Sequence, residues 1–261
     1  MALAELTLDA AGIATITLNR PEVLNALDVP TARALHDAVM ASTGDEATRC
    51  IVLRGAGRAF MAGGDLTAFA RDFDTCADVI DDLLDALNPA ILALATHPAP
   101  VLASVHGAVA GAGLSLVAGC DLVIAADDSR FLIAYDRIGA PPDCGGSWYL
   151  PRRVGYARAA ELMLLGASWD AASAERHGLV NQVVPAATLA TATDALARRL
   201  AAGPTRAYGQ YKQLAAQAFS RPLAEHLEAE RAAFRQATAS ADFRTGVTAF
   251  LARTTPVWQG R

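Results

Sequence analysis

The sequence is short of cysteine, of positive charge and of long apolar runs, and each shortage excludes a class of protein. Its four cysteines, Cys50, Cys76, Cys120 and Cys144, lie far apart and form no CxxC or Cys/His ligand spacing. Neither a disulfide framework nor a structural zinc site is indicated, and no metal is expected. Basic residues are outnumbered, with 22 Lys and Arg against 27 Asp and Glu and a net charge of −5. A protein that tracks phosphates needs a basic stripe, so nucleic acid is not an expected partner. No apolar run approaches the ~20 residues of a membrane span. The first residues, MALAELTLDAAG, carry acidic side chains where a secretion signal carries basic ones, so the expectation is a cytoplasmic protein with no membrane association. No GxGxxG turn with an acidic residue at the dinucleotide distance occurs, and no GxxxxGK followed by Ser or Thr; both nucleotide-binding fingerprints are missing.

What is present is a chain of 261 residues, 53% hydrophobic and 19% charged. A chain of that length can bury roughly 70 to 75% of its unfolded surface, so a substantial core is expected. Residues 3–8 and 13–18 alternate apolar and polar around Ala11-Gly12, which predicts a hairpin. Asp28 is placed to cap a helix running through Met40, with Pro30 in its first turn. Buried strands are predicted at 50–53, 101–105, 123–125 and 180–184, a mostly helical stretch to about residue 95, and helix throughout from about residue 186. The division is a strand-rich core over 1–185 and a helical C-terminal segment over 186–261.

Two glycine-rich loops, Gly55 to Asp65 and Gly107 to Gly113, each follow a strand and lead into a helix. Glycine at such a junction lets backbone approach a ligand closely, and the free N–H groups of a new helix favour negative charge. Two such donors sharing one oxygen would stabilise a thioester enolate, where preorganised donors contribute several kcal/mol. Either loop alone is more often structural.

The segments Asn19-Arg-Pro-Glu-Val-Leu-Asn-Ala-Leu27, Arg58-Ala-Phe-Met-Ala-Gly-Gly-Asp-Leu66, Gly107 to Gly113 and Asp121-Leu-Val-Ile-Ala125 resemble, in order and spacing, the signature segments of the crotonase (enoyl-CoA hydratase/isomerase) superfamily. The resemblance implies an α/β fold, a crotonase-like spiral of ββα units with a helical C-terminal trimerisation segment, assembled as a homotrimer or hexamer. It implies an acyl-CoA substrate and no separate cofactor, coenzyme A being part of the substrate. The thioester oxygen would be held by the backbone N–H groups of Gly64 and Ala112, with the adenine end of CoA near Leu24, Ala26 and Ala62. Asp65, Leu66, Tyr135 and Trp148 complete the expected substrate site.

Hydratases of the family carry two glutamates, and the matching positions here are Ser115 and Tyr135. Neither can replace a pair of carboxylates that activates water and returns a proton, so hydration is not the expected main activity. One carboxylate remains: Asp143, in Ile138-Gly-Ala-Pro-Pro-Asp-Cys-Gly-Gly146. By itself, Asp between Pro-Pro and Gly-Gly is a turn or capping residue. The segment resembles, however, the catalytic motif of the bacterial 1,2-epoxyphenylacetyl-CoA isomerase and enoyl-CoA isomerase subgroup, which makes Asp143 the catalytic acid and base in an apolar pocket of Phe69, Leu132, Ile138 and Trp148. Two alternatives remain open. An aryl-CoA dehalogenase-like enzyme would need a histidine and a tryptophan where Asn88 and Tyr135 stand, and a non-catalytic acyl-CoA-binding subunit would not turn over. His97, His106 and His177 sit at element boundaries and are expected to cap, while Asp136 is a reserve second acid.

Overall fold

The computed structural model describes residues 2–260. Period-2 patterning pairs β1 (Ala4–Leu8) with β2 (Ile13–Leu18) as an antiparallel hairpin, Leu6 opposite Ile16. Helix α1 (Val29–Gly44) starts where Asp28 accepts a hydrogen bond from the Thr31 N–H at 2.9 Å, and it runs one turn beyond the expected end. The chain continues through β3 (Cys50–Gly55), the short α2 (Leu66–Phe69), α3 (Cys76–Thr96), β4 (Val101–Val105), β5 (Ala108–Ala110), α4 (Ala112–Gly119), β6 (Leu122–Ala126) and β7 (Arg130–Leu132). It ends through α5 (Gly146–Val154), α6 (Tyr156–Leu164), β8 (Ser168–Asp170), α7 (Ala171–Arg176), β9 (Gln182–Val184) and the helices α8 (Leu189–Ala201), α9 (Thr205–Gln217), α10 (Leu223–Thr238) and α11 (Ala241–Ala252).

The strands form a six-stranded sheet in the order β1-β2-β3-β4-β6-β9, parallel from β2 onward. Alternate residues face opposite sides. Ile13, Cys50, Val52, Leu102 and Ile124 meet Ala197 and Ala201 of α8, while Ile16, Ile51, Leu53, Ala103 and Val123 face the larger core beneath α1, α3 and α4. With both faces buried, these strands read as apolar runs, which is why the sequence exposes them.

A second sheet, β5-β7-β8, lies apart from the first. The segment from His106 to Gly113, expected to be loop throughout, contains β5, because β7 supplies a parallel partner with Ala108 opposite Arg130 and Ala110 opposite Leu132. Bridges from Met61 to Val109 and from Leu27 to Gly64 extend this pairing. Successive passes of the chain thus place one strand in each sheet, and the glycine-rich loops lie against the smaller one.

The C-terminal helices are tied on by few polar contacts. The Lys212 ammonium on α9 reaches Asp121 Oδ2 at 2.8 Å and the carbonyls of Leu94 and Ala99 at 3.1 and 3.2 Å. Buried Asp242 on α11 accepts from the N–H groups of Gln259 and Gly260. Among the described residues, no helix is long and apolar enough to cross a membrane.

Candidate functional site

Three stretches, residues 24–27, 61–65 and 108–112, are zipped side by side by backbone hydrogen bonds. Ala62 N–H donates to Leu24 O at 3.0 Å, Leu27 N–H to Gly63 O and Asp65 N–H to Leu27 O at 2.8 Å each, and Ala110 N–H to Met61 O at 2.9 Å. Leu24, Ala26, Ala62, Gly64 and Ala112, scattered over nearly ninety positions, are thereby gathered at one edge of the small sheet. A buried asparagine fixes the junction. Asn25 Nδ2 donates to the carbonyls of Ala56, Ala59 and Phe60, and its Oδ1 accepts from Arg20 N–H at 2.8 Å. The Arg20 guanidinium in turn bridges Asp28 at 3.0 Å and Asp65 at 3.3 Å.

Gly111 turns the second loop into α4 with φ 52° and ψ −123°, a conformation that side chains with a Cβ resist. A Cβ built on it would stand 3.4 Å from the Gly63 Cα, so the two loops approach to backbone contact. Ala112 is the first residue of α4, and its N–H is one of the donors a helix start leaves unpaired. Gly64 N–H likewise takes no acceptor among the described residues. Two unpaired donors on loops in contact, one at the positive end of a helix, can hold a negatively charged oxygen.

Ser115 lies one turn along α4 from Ala112, on the same face, and is fully buried. It leads to the carboxylate. Ser115 Oγ is 3.4 Å from the Tyr135 hydroxyl, and that hydroxyl donates a hydrogen bond to Asp143 Oδ1. Burial, and next the charge of Asp143, push the Tyr135 phenol well above its ordinary range, so it remains a protonated donor at neutral pH. The Asp143 turn is tight: its carbonyl accepts from Gly146 N–H at 2.9 Å, and Cys144 and Gly145 have φ of 51° and 78°. Gly146 lets α5 press on α4, since a Cβ there would fall 2.3 Å from Ser115 Oγ. Of the non-glycine residues with positive φ among those described, Leu24, Asn25, Ala134 and Cys144 all adjoin the residues singled out above, with Arg253 the exception. Strain of this kind concentrates at functional sites.

Other expected members lie outside the hydrogen-bonded set of Ser115, Tyr135 and Asp143. Trp148 is 42% exposed, with Arg152 stacked on its ring at 3.9 Å, and Ile138 is 48% exposed. In one chain, therefore, only Phe69 and Leu132 of the expected apolar wall are partly buried. Leu66 is exposed at the start of α2, where the Asp65 carboxylate caps the helix through Thr67 N–H at 3.1 Å and Thr67 Oγ1 at 2.6 Å. Those Thr67 bonds, with Arg20 beside them, hold the Asp65 carboxyl below the usual range. Asp136 is exposed. His97 accepts from Ala99 N–H at 3.1 Å, His106 meets Gly57 O at 2.9 Å and His177 packs on Trp169, three structural roles. Among the described residues, no cluster of three or more His, Cys, Asp or Glu could hold a metal ion.

Asn25 and Arg20, which align the loops, were not singled out from the sequence. The available signal was an asparagine inside an otherwise apolar Val-Leu-Asn-Ala-Leu run, where a buried polar side chain must find several partners.

Comparison with known proteins gives a consistent result. The enoyl-CoA hydratase/isomerase family matches residues 9–261. A 1,2-epoxyphenylacetyl-CoA isomerase of Escherichia coli (strain K12) is 42% identical over 253 residues, 96% of each chain. A protein of Rhodobacter capsulatus named as a probable enoyl-CoA hydratase is 41% identical over 250 residues, 96% of this chain and 95% of that one. The crystal structure of an enoyl-CoA hydratase from Polaromonas sp. JS666 superimposes with a TM-score of 0.92 at 33% identity, covering 98% of this chain and 99% of that one.

Proposed function

The chain belongs to the enoyl-CoA hydratase/isomerase family and has its crotonase fold, and from that premise we propose that it is an acyl-CoA isomerase that relocates a proton instead of adding water. The observation that carries this reading is the hydrogen-bonded set Ser115, Tyr135 and Asp143. Where the hydratase pattern has two glutamates this chain has two neutral hydroxyls, and a single carboxylate stands beside them.

In the proposed reaction the thioester oxygen accepts hydrogen bonds from Gly64 and Ala112 N–H. Asp143 removes a proton from C2 of a 3-enoyl thioester, the electron pair moves into the enolate, and the charge rests on the oxygen between those donors. The enolate then collapses: the double bond forms between C2 and C3, and protonated Asp143 returns the proton to C4. One group acts as base and then acid, and no water enters. Leu24, Ala26 and Ala62 are assigned to the adenine end of CoA, and Asp65 and Leu66, which directly follow Gly64, to the rest of the substrate site. The name of the E. coli relative favours a second substrate, a ring epoxide of an arylacetyl-CoA, handled by the same donors and the same acid. The exposed Phe219, Leu223, Phe234 and Phe250 on and beside α9 to α11 suit packing against further copies of the chain. Sedimentation giving a trimer or hexamer supports that assembly, and a monomer counts against it.

The deciding experiment is Asp143→Asn, assayed with 3-enoyl-CoA and ring-epoxide thioesters for products of unchanged mass. Turnover should fall by roughly 10²- to 10⁴-fold while thioester binding persists, because the backbone donors are untouched. A stable variant with full activity removes Asp143 from the mechanism. Efficient hydration of crotonyl-CoA by the unaltered protein refutes the isomerase reading.

A further inference from the structure

We infer that Tyr135 is a positioning residue for Asp143: its hydroxyl, donating to Oδ1, locks the carboxylate in one orientation so that a single group reaches both ends of the proton shift. The inference rests on the isomerase reading and specifies how its one acid is held.

Geometry carries it. Asp143 lies between Pro142 and Cys144 in a tight turn that fixes its backbone, but its carboxylate would still rotate about both side-chain torsions if nothing held it. Tyr135 supplies the missing constraint. Its ring is buried, 7% exposed, and its backbone carbonyl accepts from Ala140 N–H at 3.1 Å. It leaves the strained Ala134, φ 62°, directly into a helical turn, so neither its ring nor its main chain has room to drift. Behind the hydroxyl stands Ser115, itself fully buried on α4. The hydroxyl is thus held between a carboxylate that can only accept and a serine that can accept or donate. Ser115 sits on the helix whose first N–H belongs to the anion-holding pair, so the contact also fixes the distance between the base and the oxygen it works with. A 1,3-shift needs this more than a one-step abstraction does, because the same carboxylate must meet two carbons in turn, and small misplacements of a reacting group are costly.

The test compares two replacements at position 135 in the full-length protein, using 3-enoyl-CoA. Tyr135→Phe removes the donor and keeps the ring. It should lower kcat by roughly 10- to 100-fold, the worth of a hydrogen bond to a charged group, with KM within about twofold. Replacing Tyr135 by 3,5-difluorotyrosine gives a stronger donor of nearly the same shape and should change kcat with KM again held. A tyrosine that only fills space leaves kcat unchanged in both variants. If Tyr135→Phe does not fold, the fluorinated protein decides alone: a changed kcat supports the inference and an unchanged kcat overturns it. Equal kcat in Tyr135→Phe overturns the positioning role and leaves the isomerase reading standing. A change in KM alone reassigns Tyr135 to substrate contact and overturns it too. Unaltered protein that does not isomerise the substrate overturns both readings together.

Discussion

Replacing Asn25 by alanine should cost far more stability than removal of one small polar side chain usually does. Asn25 is fully buried and makes four hydrogen bonds, three from Nδ2 to carbonyls at 2.9 to 3.1 Å and one accepted from Arg20 N–H at 2.8 Å. Nδ2 carries two protons, so two of its three contacts share one, and at about 1 kcal/mol net for each full bond the set accounts for about 3 kcal/mol. Its φ of 57° adds to this, because asparagine tolerates the left-handed region and alanine loses about 1 kcal/mol there. The expected loss is therefore about 4 kcal/mol, a large part of the 5 to 15 kcal/mol that stabilises ordinary domains. In urea, with a slope of about 2 to 3 kcal/mol per molar, the midpoint should fall by about 1.3 to 2 M. Asn25→Gly removes the same bonds without the backbone strain and should lose about 1 kcal/mol less than the alanine variant. Asn25→Asp turns a carboxylate oxygen toward three carbonyls, which raises its folded-state pKa above the unfolded value of about 3.9. That variant should keep its stability below pH 4 and lose it as pH rises through the folded pKa. A loss under 1 kcal/mol for Asn25→Ala would show that the loops are aligned without it.

Gly146→Ala drives a methyl group into Ser115 Oγ, 2.3 Å away, and should cost about 1 to 3 kcal/mol by overpacking; Ser115→Gly in the same chain should recover at least 1 kcal/mol in a double-mutant cycle. Lys212→Met leaves Asp121 without its cation; because Asp121 is 29% exposed and can be partly rehydrated, the loss in denaturant unfolding should be about 2 kcal/mol, below the range for a fully buried pair. Burial pushes the thiols of Cys50 and Cys120 up from 9.0 to about 12. The folded state holds these protons more tightly, so their contribution is complete below pH 9 and is lost between pH 9 and 12, by at most about 1.4 kcal/mol per pH unit for each thiol. The Cys50→Ala, Cys120→Ala protein should show a shallower alkaline decline than the unaltered one, and identical slopes would refute the assignment.

The sequence by itself determined the main sheet, because strands buried on both faces are written as an apolar run at 50–53 and one broken only by Ser104 at 101–105. It determined the start of α1, since a cap and a first-turn proline act locally, and it exposed the family through the spacing of its glycine-rich segments. It also displayed the loss of both hydratase glutamates and the survival of Asp143. The tertiary structure decided the rest. Strands of three residues such as β5, β7 and β8 are too short to carry a period, and they exist only because each finds a partner. The outward turn of Trp148 depends on how α5 packs, and residue type says nothing of that. The meeting of Ser115, Tyr135 and Asp143 needs α4, the helical turn after Ala134 and the Asp143 turn to converge. A hydrogen bond between residues 8 and 20 positions apart is a property of that convergence, since local sequence fixes torsions and caps whereas distances across the fold are fixed by packing.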